Sequence, residues 1–165
     1  MNILVISTCK YTLHEEEFVR PITSILNTHS FHYTLTHISQ LKTFNKQHIK
    51  KFSHIILSGT ALKDFSYFEY DVNNFLQIIY KEKIPLFTIC AGAQIICKYL
   101  NIPLKEKFNI NILNTTAINS SQQLNISKHS NIQAYAIHSY ALSLKDIKNN
   151  NKTLPITPIL VNSQD

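Results

Sequence analysis

Cys90 stands between an apolar run, "IPLFTI" (84–89), and a segment with apolar residues at helical spacing, "AGAQIICKYL" (91–100). A cysteine at a sharp strand-to-helix turn is a nucleophile elbow. The turn projects the sulfur clear of the sheet, and the positive end of the helix favours thiolate, which is expected to lower the thiol pKa. The chain has only two glycines, Gly92 just after this cysteine and Gly59 at the end of "HIILSG" (54–59). So sparing a use of glycine places both where backbone turns tightly or approaches another group closely. The amide of Ala91 is then aimed where an oxyanion would form, and the Gly59-Thr60 loop supplies a second donor. The plainer reading of Cys90 is a buried structural thiol. Cys97, seven residues on in the same helix, fits the core, and Cys9 follows the first strand without a partner motif.

These residues need elements to hold them. "NILVIS" (2–7), "HIILSG" and "IPLFTI" are continuous apolar runs, the pattern of strands buried on both faces, while "FHYTLTH" (31–37) alternates as an edge strand. Between them, Phe18, Val19, Ile22, Ile25 and Leu26 form one helical stripe, with Thr12 and Glu15 spaced as a capping box and Pro21 forcing a kink or a new start. Val72, Phe75, Leu76 and Ile79 form a second stripe. Residues 1–100 thus read as βαβ units with a parallel sheet between helices. From Lys105 onward "FNINIL" and "NIQAYAIH" suggest a small antiparallel β section, "LKDIKNNNK" (144–152) a loop, and "LPITPILVNSQD" a last short strand. With no repeat and no linker, residues 1–165 are expected to form a single domain.

Composition narrows the function. The formal net charge is +6, but of sixteen basic residues only Arg20 is arginine, and the lysines are scattered. That argues for a solvated surface rather than a nucleic-acid face. No apolar run reaches the roughly 20 residues of a membrane span, and the start reads as a strand rather than a secretory signal, so a cytoplasmic location is expected. Three cysteines without metal-type spacing point to neither a disulfide framework nor a metal site, and there is no phosphate or dinucleotide fingerprint, so no cofactor is expected. His14, followed by three glutamates, is a metal or site candidate, or more simply a solvated helix start. "DFSYFEYD" (64–71) either touches an acceptor domain or is a surface loop with aromatic packing.

"IPLFTICAGAQIICKYL" resembles the nucleophile region of the class I glutamine amidotransferases: an apolar strand, then G-I-C-x-G-x-Q, then a helix. Cys90, Gly92 and Gln94 match, and Thr88 replaces the first glycine. "IILSGT" is similar to the family's oxyanion loop, with Thr60 in place of its second glycine, and "AIHSYAL" (136–142) resembles a Y-H-S-L segment lining the glutamine pocket. The resemblance implies a flavodoxin-like α/β fold, three layers around a doubly wound, mostly parallel sheet. It also implies L-glutamine as substrate and ammonia handed to a partner synthase. Cys90 would be the nucleophile, with oxyanion donors at Gly59, Thr60 and Ala91. Gln94, Ser139 and Tyr140 would bind the substrate.

The family's base and its carboxylate lie in a late H-P-E-type motif. Here the last histidine is His138, and the only later acids are Asp146 and Asp165. Three readings follow: an enzyme short of its last segment, a non-catalytic glutamine-binding or regulatory subunit, or a site in which His138 substitutes as base. A more distant alternative is a cysteine hydrolase of the PfpI group, which places histidine directly after the cysteine, where this chain has Ala91.

Overall fold

The computed structural model of the protein describes residues 1–122, 125–150 and the backbone of 160–162. The chain divides into two compact units, Met1–Tyr99 and Leu100–Asp165.

The first unit contains β1 (Asn2–Ser7), α1 (Thr12–Phe18), α2 (Arg20–Thr28), β2 (His32–His37), α3 (Lys46–Ile49), β3 (His54–Leu57), α4 (Asn73–Glu82), β4 (Leu86–Thr88) and α5 (Ala91–Tyr99). All its strands pair in parallel, in the order β2-β1-β3-β4. The middle of central β1, Ile3 to Ile6, is apolar because both its faces are covered. Ile3 and Val5 pack with Val19 and Leu26 from the α1–α2 side. Leu4 and Ile6 pack with Phe75, Leu76 and Ile79 of α4 and Ile95 of α5. Each such side chain removed from water contributes about 1.5–3 kcal/mol. β2 is an edge strand, as its alternation suggests.

One local expectation is met, at Pro21, and two change. The α1–α2 stripe breaks at Val19, because Pro21, near the start of α2, has no N–H to continue the first helix. Thr12 is the first helical residue rather than a cap; the N-cap is Tyr11, whose side chain makes no cap bond. "IPLFTI" is not buried on both faces: β4 spans three residues at the sheet's outer position, and Phe87 is 59% exposed. Leu86 turns towards the α4–α5 core, whereas Phe87 shares the face of Ile56, at the far side from β2.

The second unit holds β5 (Lys105–Ala117), β6 (Asn131–Ala141), α6 (Leu144–Asn150) and β7 (Leu160–Asn162). Its strands are antiparallel, in the order β6-β5-β7, with a register shift between Glu106 and Asn109. The section is larger than expected, since β5 continues through Thr115, Thr116 and Ala117. The segment read as a loop at 144–152 begins with a helix. Ser143 caps it by accepting from the Asp146 N–H (3.2 Å) while donating its hydroxyl to the Asp146 carboxylate. Residues 151–159 and 163–165 lie outside the described residues, and with them most of the "LPITPILVNSQD" segment.

Candidate active site

β3 and β4 run side by side and end together, which brings the turn into α5 beside the loop after β3. Ile89 donates its N–H to the Leu57 carbonyl (3.0 Å), the last ladder-type bond before the chain turns. Cys90 takes φ 47°, and α5 begins at the next residue. A left-handed non-glycine residue costs about 1–3 kcal/mol and persists only where its surroundings hold it. Other described residues with positive φ, such as Ser30, Lys83 and Asn101, lie one or two residues past helix ends, where that conformation is ordinary. Cys90 differs in linking a strand to a helix.

The two glycines explain what holds it. A Cβ on Gly92 would lie 2.7 Å from the Leu57 Cβ and 2.8 Å from the Leu57 carbonyl oxygen. The Gly92 N–H also donates to the carbonyls of Ile89 (2.9 Å) and Ser58 (3.1 Å). The first turn of α5 is therefore pressed onto the end of β3, an approach no side chain permits. A Cβ on Gly59 would stand 3.3 Å from the Cys90 Cβ, so the loop after β3 lies directly against the cysteine. Neither glycine has positive φ. Both serve close approach, and the strained backbone angle falls on the cysteine.

The loop after β3 is fixed by buried polar groups. Ser58 Oγ accepts from the Thr8 N–H (3.1 Å) and sits 2.9 Å from the Gly59 carbonyl oxygen, which the Thr8 hydroxyl also approaches (3.1 Å). Thr60 donates its hydroxyl to Asp64 (2.8 Å). The Asp64 carboxylate further accepts from the N–H of Lys10 (2.7 Å), the N–H of Ser66 (3.1 Å) and the Ser66 hydroxyl (2.7 Å). Burial alone would raise its pKa, but these donors outweigh it and hold the carboxyl below its ordinary value.

The Cys90 thiol departs from expectation. Burial pushes its pKa up, and the hydrogen bond from the Ala91 N–H offsets this only in part. Desolvation of the would-be anion outweighs the stabilisation from the helix N-terminus and disfavours the thiolate. Burial also pushes up the thiols of Cys9 and Cys97, the latter to about 11.

Gln94 is buried on the first turn of α5, where its N–H bonds back to the Cys90 carbonyl (3.0 Å). Its side-chain oxygen accepts from the Tyr67 hydroxyl. The first unit thus gathers Cys90, Ala91, Gly59, Thr60 and Gln94 around the ends of β3 and β4. His138, Ser139 and Tyr140 lie in the second unit on β6, where His138 pairs with Asn109 and Tyr140 with Glu106 across the ladder. The His138 Nδ1 is buried without a hydrogen-bond partner among the described residues, and so is that of His14. His14 borders a cavity of about 720 Å³ with Lys10, Tyr11, Ala61, Lys63 and Asp64. No group of three or more metal-ligating side chains occurs among the described residues, and no described helix is long and apolar enough to cross a membrane.

Sequence reasoning missed Thr8, Ser58, Asp64 and Tyr67. The last two belong to "DFSYFEYD", where the D-x-S turn of Asp64 and Ser66 was a usable sign that the segment is anchored.

The family model for class-I glutamine amidotransferases matches residues 15–158. No curated protein sequence matches the chain. Among solved structures, the chain is similar to a glutamine amidotransferase from Thermotoga maritima, with a TM-score of 0.67 and 14% identity, over 99% of this chain and 67% of that one. It is also similar to a glutamine amidotransferase from Methylobacillus flagellatus, with a TM-score of 0.66 and 12% identity, over 98% of this chain and 61% of that one. The chain thus spans about three-fifths to two-thirds of those proteins' length. At such identities the likeness is one of fold, the flavodoxin-like arrangement described above.

Proposed function

This chain belongs to the class I glutamine amidotransferase family, and on that premise we propose that it binds L-glutamine at Cys90 and cleaves its side-chain amide. The observation that carries the reading is Cys90 itself, held at φ 47° between β4 and α5 with Gly59 against its Cβ.

In this mechanism the Cys90 thiol gives up its proton, and the sulfur attacks the amide carbon of the substrate side chain. The amide oxygen takes the negative charge and is held by the N–H groups of Ala91 and of Gly59 or Thr60. The carbon–nitrogen bond then breaks, and nitrogen leaves as ammonia with the proton taken from sulfur. A γ-glutamyl thioester remains on Cys90, and water hydrolyses it to glutamate and the free thiol. Gln94 holds the substrate near the reacting sulfur, and Ser139 and Tyr140 bind its amino-acid end. The base to test first is His138, whose Nδ1 lacks a partner among the described residues. Ammonia passes to a synthase subunit in the cytoplasm.

Glutamate release by the parent, abolished in Cys90→Ala, supports the reading. Equal release by the two variants contradicts it. A second reading is a glutamine-binding subunit with little turnover, and the partial burial that disfavours the Cys90 thiolate is in line with it. Glutamine binding without glutamate release would select that reading.

A further inference from the structure

We propose that Tyr67 is the positioning residue of the glutamine site, presenting the Gln94 side chain as a hydrogen-bond donor. The inference rests on the reading of Cys90 and Gln94 as parts of that site.

Tyr67 is 3% exposed, and its hydroxyl donates to the Gln94 Oε1. A side-chain amide has one oxygen acceptor and two N–H donors. With the oxygen engaged by the phenol, the amide cannot rotate about its last bond without setting its own donors against the tyrosine. The Gln94 amide nitrogen meets no hydrogen-bond partner among the described residues. Gln94 is therefore held in one orientation with its donors unspent, one helical turn beyond Cys90. A held donor of this kind matches an oxygen of the ligand, the carbonyl or carboxylate of glutamine. Tyr67 removes the conformational freedom that Gln94 would otherwise lose on binding.

The segment carrying Tyr67 is itself anchored. Three residues earlier, Asp64 ties it to Thr60 in the loop beside Cys90. One residue later, the Phe68 carbonyl accepts from Lys98 Nζ (2.7 Å), and Lys98 follows Gln94 by one turn of α5. The Tyr67 and Phe68 rings pack at 4.4 Å. Residues 64–68 thus brace both the oxyanion-type loop and the first two turns of the nucleophile helix. A surface loop with incidental aromatic packing has no need of these three tethers.

The test measures covalent labelling of Cys90 by a chloroketone analogue of glutamine, as a function of its concentration, with iodoacetamide as an alkylator that needs no pocket. The variants are the parent, Tyr67→Phe, Gln94→Ala and the double substitution. Tyr67→Phe keeps the ring and removes only the hydroxyl. The half-saturating concentration of the chloroketone should rise about fivefold to tenfold in Tyr67→Phe, as for loss of one hydrogen bond. Its limiting rate and the iodoacetamide rate should stay within about twofold of the parent. In the Gln94→Ala background, Tyr67→Phe should add nothing. Half-saturation unchanged by Tyr67→Phe overturns the role of Tyr67 and leaves the glutamine reading intact. A fall in limiting rate together with iodoacetamide reactivity also overturns it, because that marks a merely structural tyrosine. Absence of saturable labelling in the parent overturns the glutamine reading, and this inference with it.

Discussion

The two units of the chain differ in where they gather buried polar side chains and where they expose apolar ones. In Met1–Tyr99 the buried polar side chains are Ser7, Thr8, Ser58, Thr60, Asp64 and Gln94, gathered where β1 and β3 end and α5 begins. In the second unit the β5–β6 ladder sets apolar side chains outward: Phe108, Ile110, Ile112 and Tyr135 are all more than half exposed. Burying a polar group is unfavourable unless it is hydrogen-bonded, and the first unit meets that demand with a connected set of bonds around one cysteine. The concentration of satisfied polar groups at the carboxyl ends of β1 and β3 marks the candidate site more sharply than any single residue there does. The second unit shows that alternation such as "FNINIL" identifies a sheet face without saying whether that face is covered.

If the first unit is a braced scaffold around Cys90, its close approaches should be the least tolerant of change. Gly92→Ala forces a methyl group into Leu57 backbone and should cost about 3 kcal/mol in urea unfolding. Gly59→Ala, whose Cβ would meet Cys90 at 3.3 Å, should cost less, about 1 kcal/mol. Equal losses at the two positions would break the distinction between them.

The raised pKa of the partly buried Cys90 thiol sharpens the picture further. Alkylation of Cys90 by iodoacetamide should be slow at pH 7 and rise about tenfold per pH unit up to and beyond pH 9, because only the thiolate reacts. A plateau reached below pH 7 would instead indicate an anion stabilised in the resting protein.

Asp64 tests the polar network itself. Asp64→Ala leaves the Thr60 and Ser66 hydroxyls and the Lys10 and Ser66 N–H groups without their acceptor, and should destabilise the protein by about 2 kcal/mol. Because the folded-state pKa of Asp64 is depressed, its ionised form stabilises the fold fully above the ordinary carboxylate pKa of about 3.9. That contribution falls away as pH drops through and below this value. Acid titration of the parent against Asp64→Asn should therefore show the difference between them shrinking below about pH 4. In the second unit the corresponding change is smaller: Ser143→Ala removes the α6 cap and should cost about 1 kcal/mol.

Most of the first unit was legible because its signals are local. Uninterrupted apolar runs marked β1 and β3, helical stripes marked α2 and α4, and the scarcity of glycine pointed to the two close approaches. The tethers were not legible, since Lys10 and Asp64 meet across 54 positions and Tyr67 and Gln94 across 27, distances that leave no periodicity to read. α6 was hidden differently. Its S-x-x-D cap was present at Ser143 and Asp146, but the asparagine-rich composition that follows suggested a loop. The Cys90 pKa turned on a balance between helix N-terminus and burial, and burial exists only once the chain is folded.

The most direct test of the central claim is to incubate the protein with L-glutamine and hydroxylamine and measure γ-glutamyl hydroxamate. A thioester on Cys90 is captured by hydroxylamine, so the parent should form hydroxamate and Cys90→Ala should form none. No hydroxamate from the parent, or equal amounts from both proteins, would contradict the assignment of Cys90 as the nucleophile.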